Sequence, residues 1–495
     1  MQRLPMAFCL LLLTACSDLL LIAPTENGTT DKPGTNVPSS PLPFAPATAT
    51  PTMAVLAYPT YPASIPTAHV SVAPLYTLEA LFDYAAHSLV VDESIVYQNA
   101  TGQTLTSLVL AVEPNLWKGC FDLSSVTVDG QSETGLTLNN DRLEIPLVLP
   151  LVPDQTLKLS LHFDLNLPAA DSHHVFGYNN LQVNLVDWYP FIVPFSGGWM
   201  IHPPANVGEH LVYDTATFDV TVTLTDPKLP ITVAASTTAE AIAGSWHYLL
   251  HNARTFVFSA SAGYKSALTT TNGIKITSYY FTDDKTQGQA VLDEVSKAVA
   301  TFSNLFGPLS YPSLSIVESP FYDGMEYDGL FFLSRDFYKR DDGTVLNNLV
   351  DIAVHETAHQ WWFGSVGSDQ ALEPWLDEAM ATYSEWLFYE NNYPQVTAWW
   401  AFRVEAYSPS GWVDMDIYHG DDFRSYANAV YLRGAQFLEA LRGRVGDVAF
   451  FAFLKDYARQ MAGRRATADD FFNILRQHTH VDFTNIQQAY FQRLH

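Results

Sequence analysis

The stretch HETAHQWWFGSVGSDQALEPWLDEAMATYSEW, residues 355–386, decides how the second half of the chain folds. It opens on His355-Glu356-Thr357-Ala358-His359, an HExxH pattern. On a helix, positions i and i+4 share one face, so both imidazoles can reach a single ion. Leu346, Leu349, Val350 and Ala353 lay an apolar stripe into the motif. Thr344 is the expected N-cap, and Gly364 and Gly367 are expected to stop the helix. Pro374 suits the first position of a second helix, where its missing N–H costs nothing. There Trp375, Leu376, Ala379, Met380, Tyr383 and Trp386 make a core face, with Glu378 one position away. Two helices joined by such a turn pack antiparallel, and Glu378 then projects back at the histidines. Zinc needs at least three protein ligands. His355, His359 and Glu378 supply them for one Zn2+ per chain, with water as the fourth. Glu356 shares the helix but cannot comfortably bind the same ion, and suits a general base. Thr382, one turn past Glu378, is the expected hydrogen-bond partner behind the ligands.

Outward from this stretch the periodicity divides the chain. Residues 269–495 begin with short strands (IKITSYYF, SLSIVES, GLFFLS) and become helical, as in QAVLDEVSKAVATFSNLF. Residues 74–268 are strand-rich. Leu157, Leu159, Leu161, Phe163 and Leu165 alternate cleanly, as do Phe218, Val220, Val222 and Leu224. Asp129-Gly130 and Asn272-Gly273 mark turns. The fold class is therefore α+β multidomain: an N-terminal antiparallel β-sandwich or saddle domain, then a mixed, mostly helical domain.

Residues 16–73 are rich in Pro, Thr, Ala, Ser and Gly and cannot bury a core. A tether of about 55 such residues reaches roughly 40 Å. Residues 1–15 read as a signal peptide: Arg3, then an apolar run too short to span a bilayer. Leu13-Thr14-Ala15-Cys16 resembles the lipobox of bacterial lipoproteins, which would make Cys16 the lipidated N-terminus. The alternative is an ordinary secretory signal with an incidental cysteine. Stable anchoring takes two or more acyl chains. With Cys9 removed and Cys16 acylated, Cys120 has no disulfide partner.

The chain has 495 residues, 48% hydrophobic and 16% charged, and 25 Lys and Arg stand against 52 Asp and Glu. A formal charge of −27 repels phosphate backbones and argues against nucleic acid as a partner. It is compatible with solubility alone, or with a cleft that attracts cationic groups such as a peptide's free amine.

HETAHQWWFG, the 18 residues between His359 and Glu378, and LDEAMATYSE together resemble the aminopeptidase N and leukotriene hydrolase family of zinc metallopeptidases, a gluzincin family. Asp323-Gly324-Met325-Glu326-Tyr327 stands where that family carries GxMEN. Tyr431-Leu432-Arg433-Gly434 matches its Tyr-x-Lys/Arg-Gly segment, with Tyr426 just ahead, and Asp187-Trp188-Tyr189-Pro190 keeps the family's order. The resemblance covers residues 74–495 and implies a thermolysin-like catalytic domain. It implies that Tyr431 donates a hydrogen bond to the reaction's oxyanion. It also implies that Glu326, with Met325 and Gly324, meets the substrate and pairs with its α-ammonium. The sequence departs at Tyr327, where the family has Asn, and at Asp323, where it has Gly. The family's upstream Gln or Glu for the amine is not identifiable, with Gln182 and Asp187 as the nearest possibilities. The short stretch after Tyr431 implies an open cleft.

The expected function is a zinc aminopeptidase acting on peptides outside the cytoplasm, a monomer held at a membrane by lipid on Cys16. Two alternatives are an endopeptidase or other hydrolase on the same scaffold, and a non-catalytic surface binding lipoprotein.

Overall fold

In the computed structural model, which describes residues 73–495 apart from Ala243 and Asp421, alternation becomes strand. Leu157, Leu159, Leu161, Phe163 and Leu165 are all buried along the strand Thr156–Asn166. Phe218, Val220, Val222 and Leu224 are buried along Ala216–Leu224. Each such side chain contributes roughly 1.5–3 kcal/mol of gross burial energy. Both strands belong to an eight-stranded sheet, antiparallel except where Leu75–Asp83 runs parallel to Ala216–Leu224. Two four-stranded sheets complete the β part. Asp129 and Gly130, at φ 49° and 79°, turn the chain between Phe121–Val128 and Gln131–Ser132. Asn272 and Gly273, at 53° and 83°, do so between Lys265–Thr271 and Ile274–Tyr280. These positive angles are those a two-residue hairpin needs. Cys120 is buried as a free thiol. The residues read as a signal, a lipobox and nearly all of a tether lie outside the described residues.

A five-stranded mixed sheet follows, in the order Lys265–Thr271, Ile274–Tyr280, Ser313–Ser319, Leu330–Ser334, Gly324–Tyr327. Helix α1 (Lys285–Phe306) makes the crossover between two parallel strands. The strand Lys265–Thr271 lies wholly in this sheet, so a boundary at 268/269 would cut through it. Residues 73–495 pack as one compact unit. After the short helix α2 (Arg335–Arg340) comes α3 (Asn348–Ala358), which carries the HExxH motif beside the edge strand Gly324–Tyr327.

Two expectations about helix ends are corrected. The N-cap of α3 is Asn347, whose side chain accepts from the Val350 N–H at 3.0 Å. Thr344 instead spends its hydroxyl on Asp342 at 2.7 Å. The helix also stops before Gly364: Trp362 (φ −101°, ψ 54°) and Phe363 (φ 173°, ψ −66°) leave helical geometry. Buried Arg254 makes that break affordable, donating from Nε to the Phe363 carbonyl at 2.7 Å and from Nη1 to Tyr213 at 3.0 Å. A buried carbonyl without a helical partner needs such a donor. Pro374, at φ −61° and ψ −21°, already has helical geometry and leads into α4 (Trp375–Asn392) as expected. Helix α6 (Arg433–Val445), reached through α5 (Phe423–Ala427), packs on α4 where a Cβ on Gly434 would collide with Ala379. No helix among the described residues is long and apolar enough to cross a membrane.

Candidate functional site

Helices α3 and α4 bring His355, His359 and Glu378 to one point. His359 Nε2 lies 3.0 Å from His355 Nε2. Glu378 Oε2 lies 3.2 Å from His355 Nε2 and 3.5 Å from His359 Nε2. A tetrahedral zinc about 2.0–2.1 Å from each donor would set ligand edges of roughly 3.3 Å. The triangle fits that ion in size and in donor type, and all three residues are buried.

The far nitrogens of both imidazoles are held. His355 Nδ1 is 2.8 Å from Glu385 Oε1, and Arg403 grips the same carboxylate through Nε (2.8 Å) and Nη2 (2.9 Å). His359 Nδ1 is 2.6 Å from Asp377 Oδ1 and 3.2 Å from the Trp362 carbonyl. Each contact turns Nε2 toward the ion position. Burial would lower the His355 pKa, but hydrogen bonds to Glu378 and Glu385 outweigh it and hold the imidazole up at about 9. Burial works against the Glu378 carboxylate, yet His359 and His355 keep it well below the usual range. Thr382 does not serve as expected: its hydroxyl is buried without a hydrogen-bond partner. Glu385 and Asp377 take that role, and neither was singled out from the sequence. Asp377 adjoins Glu378, and Glu385 is two turns along the same face, so spacing alone offered both.

Around the donors stands a wall of carboxylates. One oxygen each from Glu326 and Glu356 lies within 4.8 Å of a His359 ring nitrogen. Glu356 has one oxygen buried without a partner. Burial raises its carboxyl well above the ordinary range, with His355 and His359 opposing and Glu326 and Glu378 adding. Gly324 is needed beside it, because a Cβ there would collide with Glu356 and Ile352. Burial pushes Glu326 up to about 8, His359 opposing and the charges of Glu378 and Asp377 adding. Glu209 also faces the site. Its carboxyl is pushed up by desolvation and then by Glu378, Glu326 and Asp377. Glu209 sits on a loop with no periodic pattern, and no sequence signal marked it.

Tyr431 stacks its ring over His355, with centroids 6.0 Å apart and planes 9° apart, and its hydroxyl interacts with Glu378. Tyr426 is fully buried, its hydroxyl unpartnered. Met325, Glu326 and Tyr327 line a cavity of about 130 Å³ together with Glu209. Gln182 is not part of it: the residue is buried and bonded to Asn184 at 2.8 Å. Asp187 reaches the cavity wall, where it accepts from Tyr213 at 2.7 Å, and Tyr327 also turns to it.

The model of the peptidase family M1 domain matches residues 291–490. Aminopeptidase M1-D of Oryza sativa subsp. japonica is 26% identical over 225 residues, covering 42% of this chain and 26% of that protein. Aminopeptidase M1 of Arabidopsis thaliana is 23% identical over 222 residues, covering 42% and 25%. The chain thus spans about a quarter of the length of the curated relatives it matches. Among solved structures, an M1 zinc metallopeptidase from Deinococcus radiodurans aligns over 86% of this chain and 94% of its own, at TM-score 0.62 and 17% identity. A mutant M1 zinc metallopeptidase from the same organism, bound to a Tyr-Ser-Ala substrate, aligns over 84% and 92% at TM-score 0.60 and 18% identity. These neighbours share the two-part α+β fold.

Proposed function

We propose that this chain, whose residues 291–490 match the peptidase family M1 domain, is a zinc aminopeptidase of that family. The observation that carries the reading is the Nε2–Nε2–Oε2 triangle of His355, His359 and Glu378, with one buried oxygen each of Glu326 and Glu356 left without a hydrogen-bond partner beside it. When bound there, zinc supplies Lewis acidity, polarising a carbonyl and acidifying water.

The chain's own groups do the rest. Glu356 takes the proton of the attacking water and hands it to the leaving amine nitrogen, a role its raised pKa suits. Tyr431 donates a hydrogen bond to the oxyanion that forms on the substrate carbonyl. Glu326 and Glu209 pair with the α-ammonium of the substrate. Crowded carboxylates resist ionising until a cation joins them, so an ammonium is favoured there over a neutral group. That register places the first peptide bond at the reacting centre.

Endopeptidase action is the second reading. Tyr327 supports it, since it faces Asp187 where the resembled family offers Asn. Leu13-Thr14-Ala15-Cys16 supports attachment of the protein to a membrane by lipid on Cys16, with the site outside the cytoplasm.

The test is product analysis by mass spectrometry on matched free and N-acetylated peptides, with and without chelator. The reading expects stepwise loss of N-terminal residues from free peptides only, abolished by chelator. Equal cleavage of both peptide sets would favour the endopeptidase.

A further inference from the structure

A second set of buried donors converges away from the first. Glu113 opens a short 3-10 turn, Asp141 sits in the hairpin turn between Thr137–Asn139 and Arg142–Leu151, and His210 lies on the loop before Ala216–Leu224. His210 Nε2 is 3.2 Å from Glu113 Oε2 and 3.8 Å from Asp141 Oδ2. All three atoms are buried, and none has a hydrogen-bond partner. His210 is 8% exposed and Asp141 5%. One donor atom from each residue lies within 4.8 Å of the other two.

Buried polar atoms are nearly always satisfied, so an Asp141 oxygen without a partner beside the poorly aligned His210–Glu113 pair calls for a guest. The set is one imidazole and two carboxylates. A dication would cancel both carboxylate charges, and imidazole selects zinc-like ions over magnesium or calcium. Glu113 and His210 both line the 130 Å³ cavity, which gives an ion a way in. Burial works against a proton on His210, but Glu113, Asp141 and Asp187 favour it, as they would any cation. We infer that Glu113, Asp141 and His210 form a second divalent-cation site of the zinc class. The site fastens the loop that also carries Glu209, the residue next to His210, and so positions that carboxylate toward Glu326 and Glu378.

The test counts zinc. Untagged full-length protein is stripped, reloaded with Zn2+, desalted over chelating resin and assayed by inductively coupled plasma mass spectrometry. Wild type is expected to hold two ions and His210→Gln one. A His355→Ala/His359→Ala variant, lacking the first site, is expected to keep one. Asp141→Asn serves as a second probe should His210→Gln misfold, with circular dichroism confirming the fold. One ion in wild type, two in a folded His210→Gln or Asp141→Asn, or none in the His355/His359 variant would overturn the site. That last variant reads the second site alone, so its outcome does not depend on the aminopeptidase reading.

Discussion

Replacing Glu385 by Gln isolates what holds His355 in place. The Glu385 carboxylate is fully buried and accepts three contacts: Arg403 Nε at 2.8 Å, Arg403 Nη2 at 2.9 Å and His355 Nδ1 at 2.8 Å. An amide keeps one acceptor oxygen and turns an NH2 toward a donor. Arg403, 8% exposed, then loses the charge of Glu385 and keeps its other contacts. Breaking a buried pair costs about 3–5 kcal/mol. Asp351 lowers that figure, since its carboxyl is pushed up to about 7 by burial and Glu385, with Arg403 opposing. With Glu385 neutral, Asp351 ionises more readily and answers Arg403 in part. Proteins of ordinary stability, about 5–15 kcal/mol, survive such a loss. Loss of a group behind a metal ligand typically weakens metal affinity about 10–100-fold, or roughly 1.4–2.7 kcal/mol. The assay is competition for Zn2+ against a chromophoric chelator, paired with a thermal melt. Glu385→Gln is expected to lose that affinity and several degrees of melting temperature, and Thr382→Ala neither. A folded Glu385→Gln with wild-type zinc affinity would refute the orienting role.

Three further outcomes follow from the same geometry. Glu356→Gln is expected to keep stoichiometric zinc by mass spectrometry while losing turnover of aminoacyl-amide substrates, and unchanged turnover would remove Glu356 as the base. Tyr431→Phe is expected to lower kcat about 100- to 1,000-fold with little change in KM, the usual cost of losing an oxyanion donor. The third concerns pH in the metal-free protein. Its His355 pKa of about 9 lies above the unfolded value near 6.5, so the stability it lends is complete below about pH 6.5 and lost as pH rises through 9. That loss amounts to roughly 3 kcal/mol, and His359 shifts in the same direction. Thermal melts from pH 6.5 to 9 should decline more steeply for metal-free protein than for zinc-loaded protein, which has no Nε2 proton to shed.

What could be read from the sequence was what repeats at short range. The two imidazoles were legible because helix pitch puts residues four apart on one face, and Glu378 because the apolar face of a second helix, joined by a short connection, turns it back toward them. The buried faces of Thr156–Asn166 and Ala216–Leu224 were legible because a strand's period is two. The failures each turn on a residue that the local periodicity does not weigh. Thr344 and Asn347 are both good caps, and Asp342 decided between them by taking the Thr344 hydroxyl. Gly364 was the local reason to end α3, but Arg254, far upstream, accepts the cost of an earlier break at Phe363. Thr382 and Glu385 lie on one face of α4, and Arg403 made the carboxylate the partner by keeping it charged. Glu209 and the Glu113–Asp141–His210 set come from turns and a loop, where no period links neighbours. The pattern has a physical cause. Ligand direction is set by helix pitch, but ligand orientation and the field around the site are set by charges brought in from outside the helix. Sequence reading therefore found where a metal would sit before it could find what tunes it.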